Sequence, residues 1–472
     1  MSVKLLGKQS LIYGFGHILA RLVTFFLLPL YTHVFTPDEY GTISLAYAFM
    51  GFTLILYRYG MDTALMKYSV QLEGREKTAH ISTIYGLQLI TSLAFSGILF
   101  LSKHIIAVSV LGIDKPDWIV LLSGILLLDT LWNLPVLILR TEERPIPFIA
   151  YNFINVLITM GLNIVFVVEL KMGIQGVLLA NLYASGSVFI ISLPIIINRM
   201  DLGAIQKPTL NRVLRFALPF LPAGIFTMIM ELANRYLLEW LADTASVGLF
   251  SAGYKLGIFG LIVVMGFNMG WTPYFLKRGK EAGARKEFAQ ITSIFLGLLG
   301  FVIVAVSLWV PEIMRLPIGS RTLIGQQFWS ADNVVFAILL GYYFFGTYVV
   351  QLPGIYIKEI TNSVPIFRAV GAGVNIGLNI YLIPRYGVVG SACATVLAFI
   401  AMSLSIFLRT YKIFPVLYNW IACFYPVIFM GIVFYTGDDV LIRLIVTICY
   451  PIGWYLFAIN SEERKIVKGL IT

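Results

Sequence analysis

Residues 161–180 read GLNIVFVVELKMGIQGVLLA, and residues 377–394 read GLNIYLIPRYGVVGSACA. Each copy opens on Gly-Leu-Asn-Ile and closes on the spacing G-x-x-G-x-x-x-A, formed by Gly173, Gly176 and Ala180 in one and Gly387, Gly390 and Ala394 in the other. The connection is two residues shorter in the second copy. A fainter echo precedes each: Tyr40-Gly41 to Phe49 matches Val247-Gly248 to Leu256. The offsets, 216 and 207 residues, tie the first six apolar runs of the chain to the next six. An even number of crossings in each half makes the repeats parallel, related by an axis along the membrane normal. Small residues four apart let helix backbones approach closely, so the glycines themselves read as packing residues.

Outward from that repeat, the whole chain is apolar. Of its 472 residues, 59% are hydrophobic and 12% are charged, and the mean hydropathy is +0.87. That is about 280 apolar residues, the amount fourteen spans of ~20 residues need. It excludes a soluble enzyme, a disordered tail and a nucleic-acid-binding domain. The predicted spans are 10–34, 41–66, 79–101, 117–139, 146–168, 173–197, 214–240, 246–275, 288–310, 329–352, 363–384, 387–408, 414–436 and 440–460. The fold class is an all-α polytopic membrane protein with about 14 transmembrane helices. Two pseudo-symmetric six-helix lobes are expected over 1–205 and 206–411, with two additional helices and a tail over 412–472. The first run has Arg21 in its middle and no small-residue cleavage site, so it does not read as a signal peptide. Cys393, Cys423 and Cys449 all fall inside apolar runs and predict neither a disulfide framework nor a metal site.

The net charge of +10 would suit a nucleic acid, but its distribution points to membrane topology instead. Of the 34 Lys and Arg residues, 23 fall in loops on one side of the predicted spans and seven on the other. The Lys/Arg-rich side is cytoplasmic, so both termini are predicted to face the cytoplasm. Loops are short throughout, the longest running from about Pro311 to Phe328.

Four cations remain inside spans: Arg21, Arg58, Arg235 and Lys255. They lie in spans one, two, seven and eight, which are the same two spans of each half. A Lys or Arg at the bilayer centre costs ~2.5–3.5 kcal/mol on insertion scales, so it faces a cavity or a partner. Neither Arg21 nor Lys255 has an acid within one helical turn. Arg58 has Asp62 four residues on, where an intrahelical ion pair competes with a functional role. Glu231, Arg235 and Glu239 form a ladder that suits either local pairing or ion coupling. A set of fixed cations favours an anionic cargo, and arginine grips phosphate oxygens bidentately. His17 and His33 lack metal-ligand spacing, and Asn155, Asn163, Asn375 and Asn379 read as interhelical bonding residues. No catalytic and no metal-ligating set is expected.

The stretch Leu28-Pro29-Leu30-Tyr31-Thr32-His33-Val34-Phe35-Thr36-Pro37-Asp38-Glu39-Tyr40-Gly41 resembles the first extracytoplasmic turn of the Wzx-type oligosaccharide flippases, the O-antigen repeat-unit flippases. These belong to the multidrug/oligosaccharidyl-lipid/polysaccharide exporter superfamily. The Gly-Leu-Asn-Ile blocks followed by G-x-x-G resemble that family's sixth and twelfth helix regions, so the resemblance covers essentially the whole chain. It implies two six-helix lobes around a central cavity that opens alternately to either side. The implied cargo is an oligosaccharide on a polyprenyl pyrophosphate, moved from the inner to the outer leaflet of the bacterial plasma membrane. Arginines of the first, second and eighth helices line the cavity in the related lipid II flippases. Arg21 and Arg58 match the first two, and Lys255 stands where the third would be.

The expected roles are pyrophosphate binding for Arg21, Arg58, Lys255 and Arg235, with Arg235 nearer the exit. Asp62 and Glu231 are candidates for coupling to a proton or sodium gradient. No cofactor is expected, and a polysaccharide polymerase and glycosyltransferases are candidate partners. Three rivals stay open: a drug or organic-cation antiporter of the same superfamily, a membrane polymerase acting on lipid-linked sugars, and a non-transporting structural protein or scramblase. The first needs buried acids, and the second a large loop or an acidic metal motif.

Overall fold

A computed structural model describes residues 25–471 apart from 280 and 438. The chain divides into two compact units, Met1–Tyr236 and Leu237–Thr472. The first contains α1 (Phe25–Val34), α2 (Pro37–Arg58), α3 (Met61–Gln71), α4 (Gly74–Leu101), α5 (Lys103–Ser109), α6 (Pro116–Thr141), α7 (Pro145–Asn163), α8 (Gly173–Ile197) and α9 (Lys207–Ala217). The division falls inside α10 (Phe220–Leu241). The second unit continues with α11 (Thr244–Leu256), α12 (Ile258–Arg278), α13 (Ala284–Arg315), α14 (Asp332–Ile357), α15 (Val364–Ile413), α16 (Trp420–Val433), α17 (Val440–Gly453) and α18 (Ser461–Ile471). The only strands among the described residues are two of two residues each, Pro317–Ile318 and Arg321–Thr322, paired in a small hairpin.

Eleven helical segments are long and apolar enough to cross a membrane. Two shorter apolar helices, α1 and α16, accompany them. The 50-residue α15 changes direction at Gly387, whose φ is 53°, so it holds the two predicted spans 363–384 and 387–408. These segments fit the fourteen predicted passes. The predicted span 214–240 is preceded by a separate amphipathic helix, α9, which buries Val213 and Ala217 and exposes Arg212 and Arg215. Because α9 packs on α3 and α4, and α10 packs on α2, the compact division lies near residue 236 rather than at the expected 205/206 boundary.

The sequence repeat has a physical meaning at both of its glycines. Gly173 (φ 60°) and Gly387 (φ 53°) take up left-handed backbone that turns one helix into the next. Gly176 and Gly390 then allow close approach. A Cβ on Gly176 would sit 3.1 Å from the carbonyl oxygen of Phe166, and one on Gly390 would collide with the carbonyl of Leu382. The fainter echo also matches at its starts. Thr36 and Glu39 form a capping box on α2, with Glu39 Oε2 accepting from the Thr36 amide at 2.9 Å, and Asp243 Oδ1 caps α11 by accepting from the Ser246 amide at 2.7 Å.

The last two spanning segments belong to the second unit through α13. Gly297 and Gly300 leave a bare strip on α13 that Trp454, Pro426 and Tyr450 occupy, and Tyr450 Oη donates to the Gly297 carbonyl at 2.9 Å. Arg443, with 6% of its side chain exposed, forms an ion pair with Glu312 of α13.

The two roles of glycine are separable. Gly390→Ala should lower the thermal unfolding midpoint of the detergent-purified protein, by the equivalent of about 1–3 kcal/mol, because the backbone of Leu382 cannot move aside. Gly377→Ala, with nothing within 4 Å of the added methyl, should be neutral or stabilising by up to about 1 kcal/mol. Equal midpoints would overturn the close-packing account.

Candidate functional site

The second span of the first unit does not run as one helix. It stops at Arg58 and resumes at Met61, because Tyr59 (φ 28°) and Gly60 (φ 84°) leave helical backbone. Gly60 is required twice over: its φ is left-handed, and a Cβ there would meet the Ala217 carbonyl at the end of α9. The flanking tyrosines hold the break against α4. Tyr57 Oη lies 2.8 Å from Ser96 Oγ, and Tyr59 Oη lies 3.0 Å from Thr91 Oγ1.

Arg58 therefore occupies the C-terminal turn of α2 and Asp62 the first turn of α3, the ends at which helix dipoles favour a cation and an anion respectively. The break removes the i, i+4 geometry, and the two side chains form no ion pair. The competing reading of the two as a simple intrahelical ion pair is excluded for that reason. Arg58 Nε is buried with no hydrogen-bond partner. Asp62 and Asp129, the latter on α6, are the two carboxylates whose charge acts on Arg58. Asp129 Oδ1 accepts from Trp132 Nε1 at 2.9 Å and from Ser185 Oγ of α8 at 2.6 Å. The available signal was an acid in the interior of a spanning helix, which marks a functional candidate by itself.

On α10, Arg235 Nη1 donates to the backbone carbonyl of Glu231 at 2.9 Å, and Glu239 Oε1 accepts from Thr244 Oγ1 at 3.1 Å. Leu232 fills the space above Gly51, and Tyr236 lies against Phe52 with ring centroids 5.9 Å apart. Arg235 thus stands near Phe52, about 9 Å along α2 from Arg58 at 1.5 Å per residue.

In the second unit, α11 gives way to α12 at Gly257, immediately after Lys255 and Leu256. Gly253, Gly257 and Gly260 face Val334, Ile338 and Tyr342 of α14, so the junction lies flat against that helix. The sequence at the two junctions matches as Tyr57-Arg58-Tyr59-Gly60 and Tyr254-Lys255-Leu256-Gly257. Both split spans have the same outer limits, Pro37 to Gln71 and Thr244 to Arg278, yet the cation sits differently within each. Counted along its own helix, Lys255 is about 15 Å nearer its cap than Arg58 is to Thr36. Arg58 and Lys255 both stand at the break of a split span, but they are not equivalent positions on it.

Arg21 and His17 lie outside the described residues. Asn163 bonds between helices, its Oδ1 accepting from Tyr31 Oη of α1 at 2.8 Å, and Asn379 Nδ2 donates to the Asn375 carbonyl at 2.7 Å. His33 Nδ1 is satisfied by the Pro29 carbonyl at 2.8 Å. Among the described residues no three His, Cys, Asp or Glu side chains cluster closely enough to hold a metal ion.

The Arg58 cluster makes a double-mutant prediction. Arg58→Gln should destabilise the protein by leaving two carboxylates without their cation, and Asp129→Asn added to it should restore part of the loss. The coupling energy expected from thermal unfolding of the four proteins is about 0.5–3 kcal/mol. Strictly additive losses would show that Arg58 and Asp129 do not interact.

The sequence matches the family described as "Polysaccharide biosynthesis protein" over residues 6–278, a span that includes both helix breaks, Arg58, Arg235 and Lys255. No curated protein sequence matches the chain. Among solved structures, the lipid II flippase MurJ in an inward closed conformation superposes with a TM-score of 0.76 at 16% identity, covering 98% of this chain and 99% of that one. An inward-facing multidrug resistance MATE family transporter of the MOP superfamily gives a TM-score of 0.65 at 14% identity, covering 87% of this chain and 94% of that one. Identities this low speak for the fold. The family match spans more than half of the chain, and the chain is therefore a multi-pass membrane protein that belongs to the polysaccharide biosynthesis protein family, with the fold that MurJ and the MATE transporter share.

Proposed function

We propose that the protein is a flippase that moves a polyprenyl-pyrophosphate-linked oligosaccharide from the cytoplasmic to the outer leaflet of the plasma membrane by alternating access. The observation behind this reading is that a chain of the polysaccharide biosynthesis family, sharing the MurJ fold over almost its whole length, places an intramembrane cation at the break of the second span of each half. Arg58 and Lys255, with Arg21, bind the pyrophosphate, and Arg235 stands farther along the path. The chain acts as a transporter rather than an enzyme. Its termini face the cytoplasm, in keeping with the Lys/Arg bias of its loops. With the cell interior negative, each phosphate charge moved outward gains about 2.3 kcal/mol per 100 mV. Asp62 and Glu231 are the groups through which a proton or sodium gradient would couple, and a polymerase or glycosyltransferase would act on the cargo before and after it crosses.

One observation favours a second reading. Around Arg58 the carboxylates of Asp62 and Asp129 outnumber the cation, and buried acids are what an organic-cation antiporter needs. The two readings part in reconstituted vesicles. Arg58→Ala and Lys255→Ala should each slow transbilayer movement of a polyprenyl-pyrophosphate oligosaccharide at least about tenfold, the equivalent of about 1.4 kcal/mol, while Lys255→Arg keeps most of the rate. Movement indifferent to both alanines would sink the pyrophosphate assignment. Proton-driven uptake of an organic cation that is abolished by Asp129→Asn would favour the antiporter.

A further inference from the structure

At the end of the first unit that carries residues 67–80 and 199–216, two cavities open side by side. One, of about 370 Å³, is lined by Arg75, Glu76, His80, Gln206, Thr209 and Arg212 among others. The other, of about 430 Å³, is lined by Lys67, Tyr68, Asn211, Arg212, Arg215 and Phe216. Arg212 borders both. Four cations from three elements, α3, α4 and α9, therefore converge on one small region.

The aromatic side chains there order the cations. Lys67 Nζ lies 3.8 Å from the centroid of the Phe216 ring, and Arg212 Cζ lies 5.3 Å from that of Tyr68. The sole carboxylate lining either cavity, Glu76, meets Arg212 at 3.1 Å, with both side chains more than half exposed. An exposed pair of that kind is worth less than 1 kcal/mol and yields readily to a stronger anion.

An independent feature points to a ligand. His80 lines the first cavity and is only 3% exposed, its ring tilted against that of Tyr68 with centroids 4.6 Å apart. Its Nδ1 lies 2.8 Å from the Glu76 carbonyl, which can only accept, so Nδ1 carries the hydrogen. Its Nε2 is buried and has no hydrogen-bond partner. An oxyanion would satisfy that atom in either state: a protonated phosphate oxygen donates to the neutral ring, and an ionised one accepts from the imidazolium. The surroundings are those of a lipid surface. Val70, Ile205, Leu218 and Phe220 are all exposed beside the basic cluster, and α9 has the amphipathic pattern of a helix lying in a membrane interface.

We propose that this region is a loading site for the pyrophosphate headgroup of the lipid-linked cargo, occupied before the cargo reaches Arg58. The headgroup lies between Arg75, Arg212 and His80, with Lys67 and Arg215 at its second phosphate, and the prenyl chain stays beside Val70 and Phe220. The identity of the lipid rests on the function proposed above; the affinity for a lipid phosphate does not.

The test measures binding of three probes to the full-length protein in nanodiscs: a polyprenyl pyrophosphate, phosphatidylglycerol and inorganic pyrophosphate. The polyprenyl pyrophosphate should bind at least tenfold more tightly than either of the others. Arg75→Gln with Lys67→Gln should weaken it at least tenfold. Glu76→Gln, which releases Arg212, should tighten it, an effect that a misfolded variant cannot mimic. Unchanged binding in the double variant, or no gain in Glu76→Gln, overturns the site. Equal binding of phosphatidylglycerol overturns the loading role, and equal binding of inorganic pyrophosphate overturns the need for a lipid. Transbilayer movement is followed separately in each variant. Cargo that binds here but never crosses defeats the flippase reading and leaves the site standing. Cargo that crosses normally without binding here defeats the site alone.

Discussion

Inside a bilayer every backbone amide and carbonyl must find a partner within the protein, so a spanning helix can be interrupted only where other protein groups or water take over. This protein interrupts the second span of each half, next to its intramembrane cation. At Tyr59-Gly60 the interruption is a left-handed turn pinned by the Ala217 carbonyl and by two tyrosine hydroxyls on α4. At Gly257 it is a milder junction that lies against α14 through three small residues. A charged side chain and a broken backbone are both costly in hydrocarbon. They coincide at the same two points, one in each half.

The two junctions also differ in where each cation sits. Arg58 ends the longer segment of its span and Lys255 the shorter one of its own, so each half holds its cation at a different distance from its capped end. Arg58 differs further in that two carboxylates, Asp62 and Asp129, act on its charge.

Much of the fold was legible because its signals are long-range and repetitive. Span limits agreed to within a few residues wherever Pro or Gly punctuated the apolar runs, as at Pro116, Pro145 and Gly173. The packing read into the repeat holds for Gly176 and Gly390, whereas Gly173 and Gly387 make turns instead. What escaped reading depends on contacts remote in sequence. The break after Arg58 comes from the packing of α9 on Gly60, more than 150 residues away. Asp129 meets Ser185 and Arg58 only in the folded chain. The basic face of α9 was counted only as loop charge, although Lys67 and Arg75 lie around the same cavities.

The bare strip on α13 has a consequence for biogenesis. Gly297 and Gly300 emerge from the ribosome long before Pro426, Tyr450 and Trp454 are made, and Glu312 must wait equally long for Arg443. Until then the nascent second half presents an open furrow and a lone carboxylate to lipid.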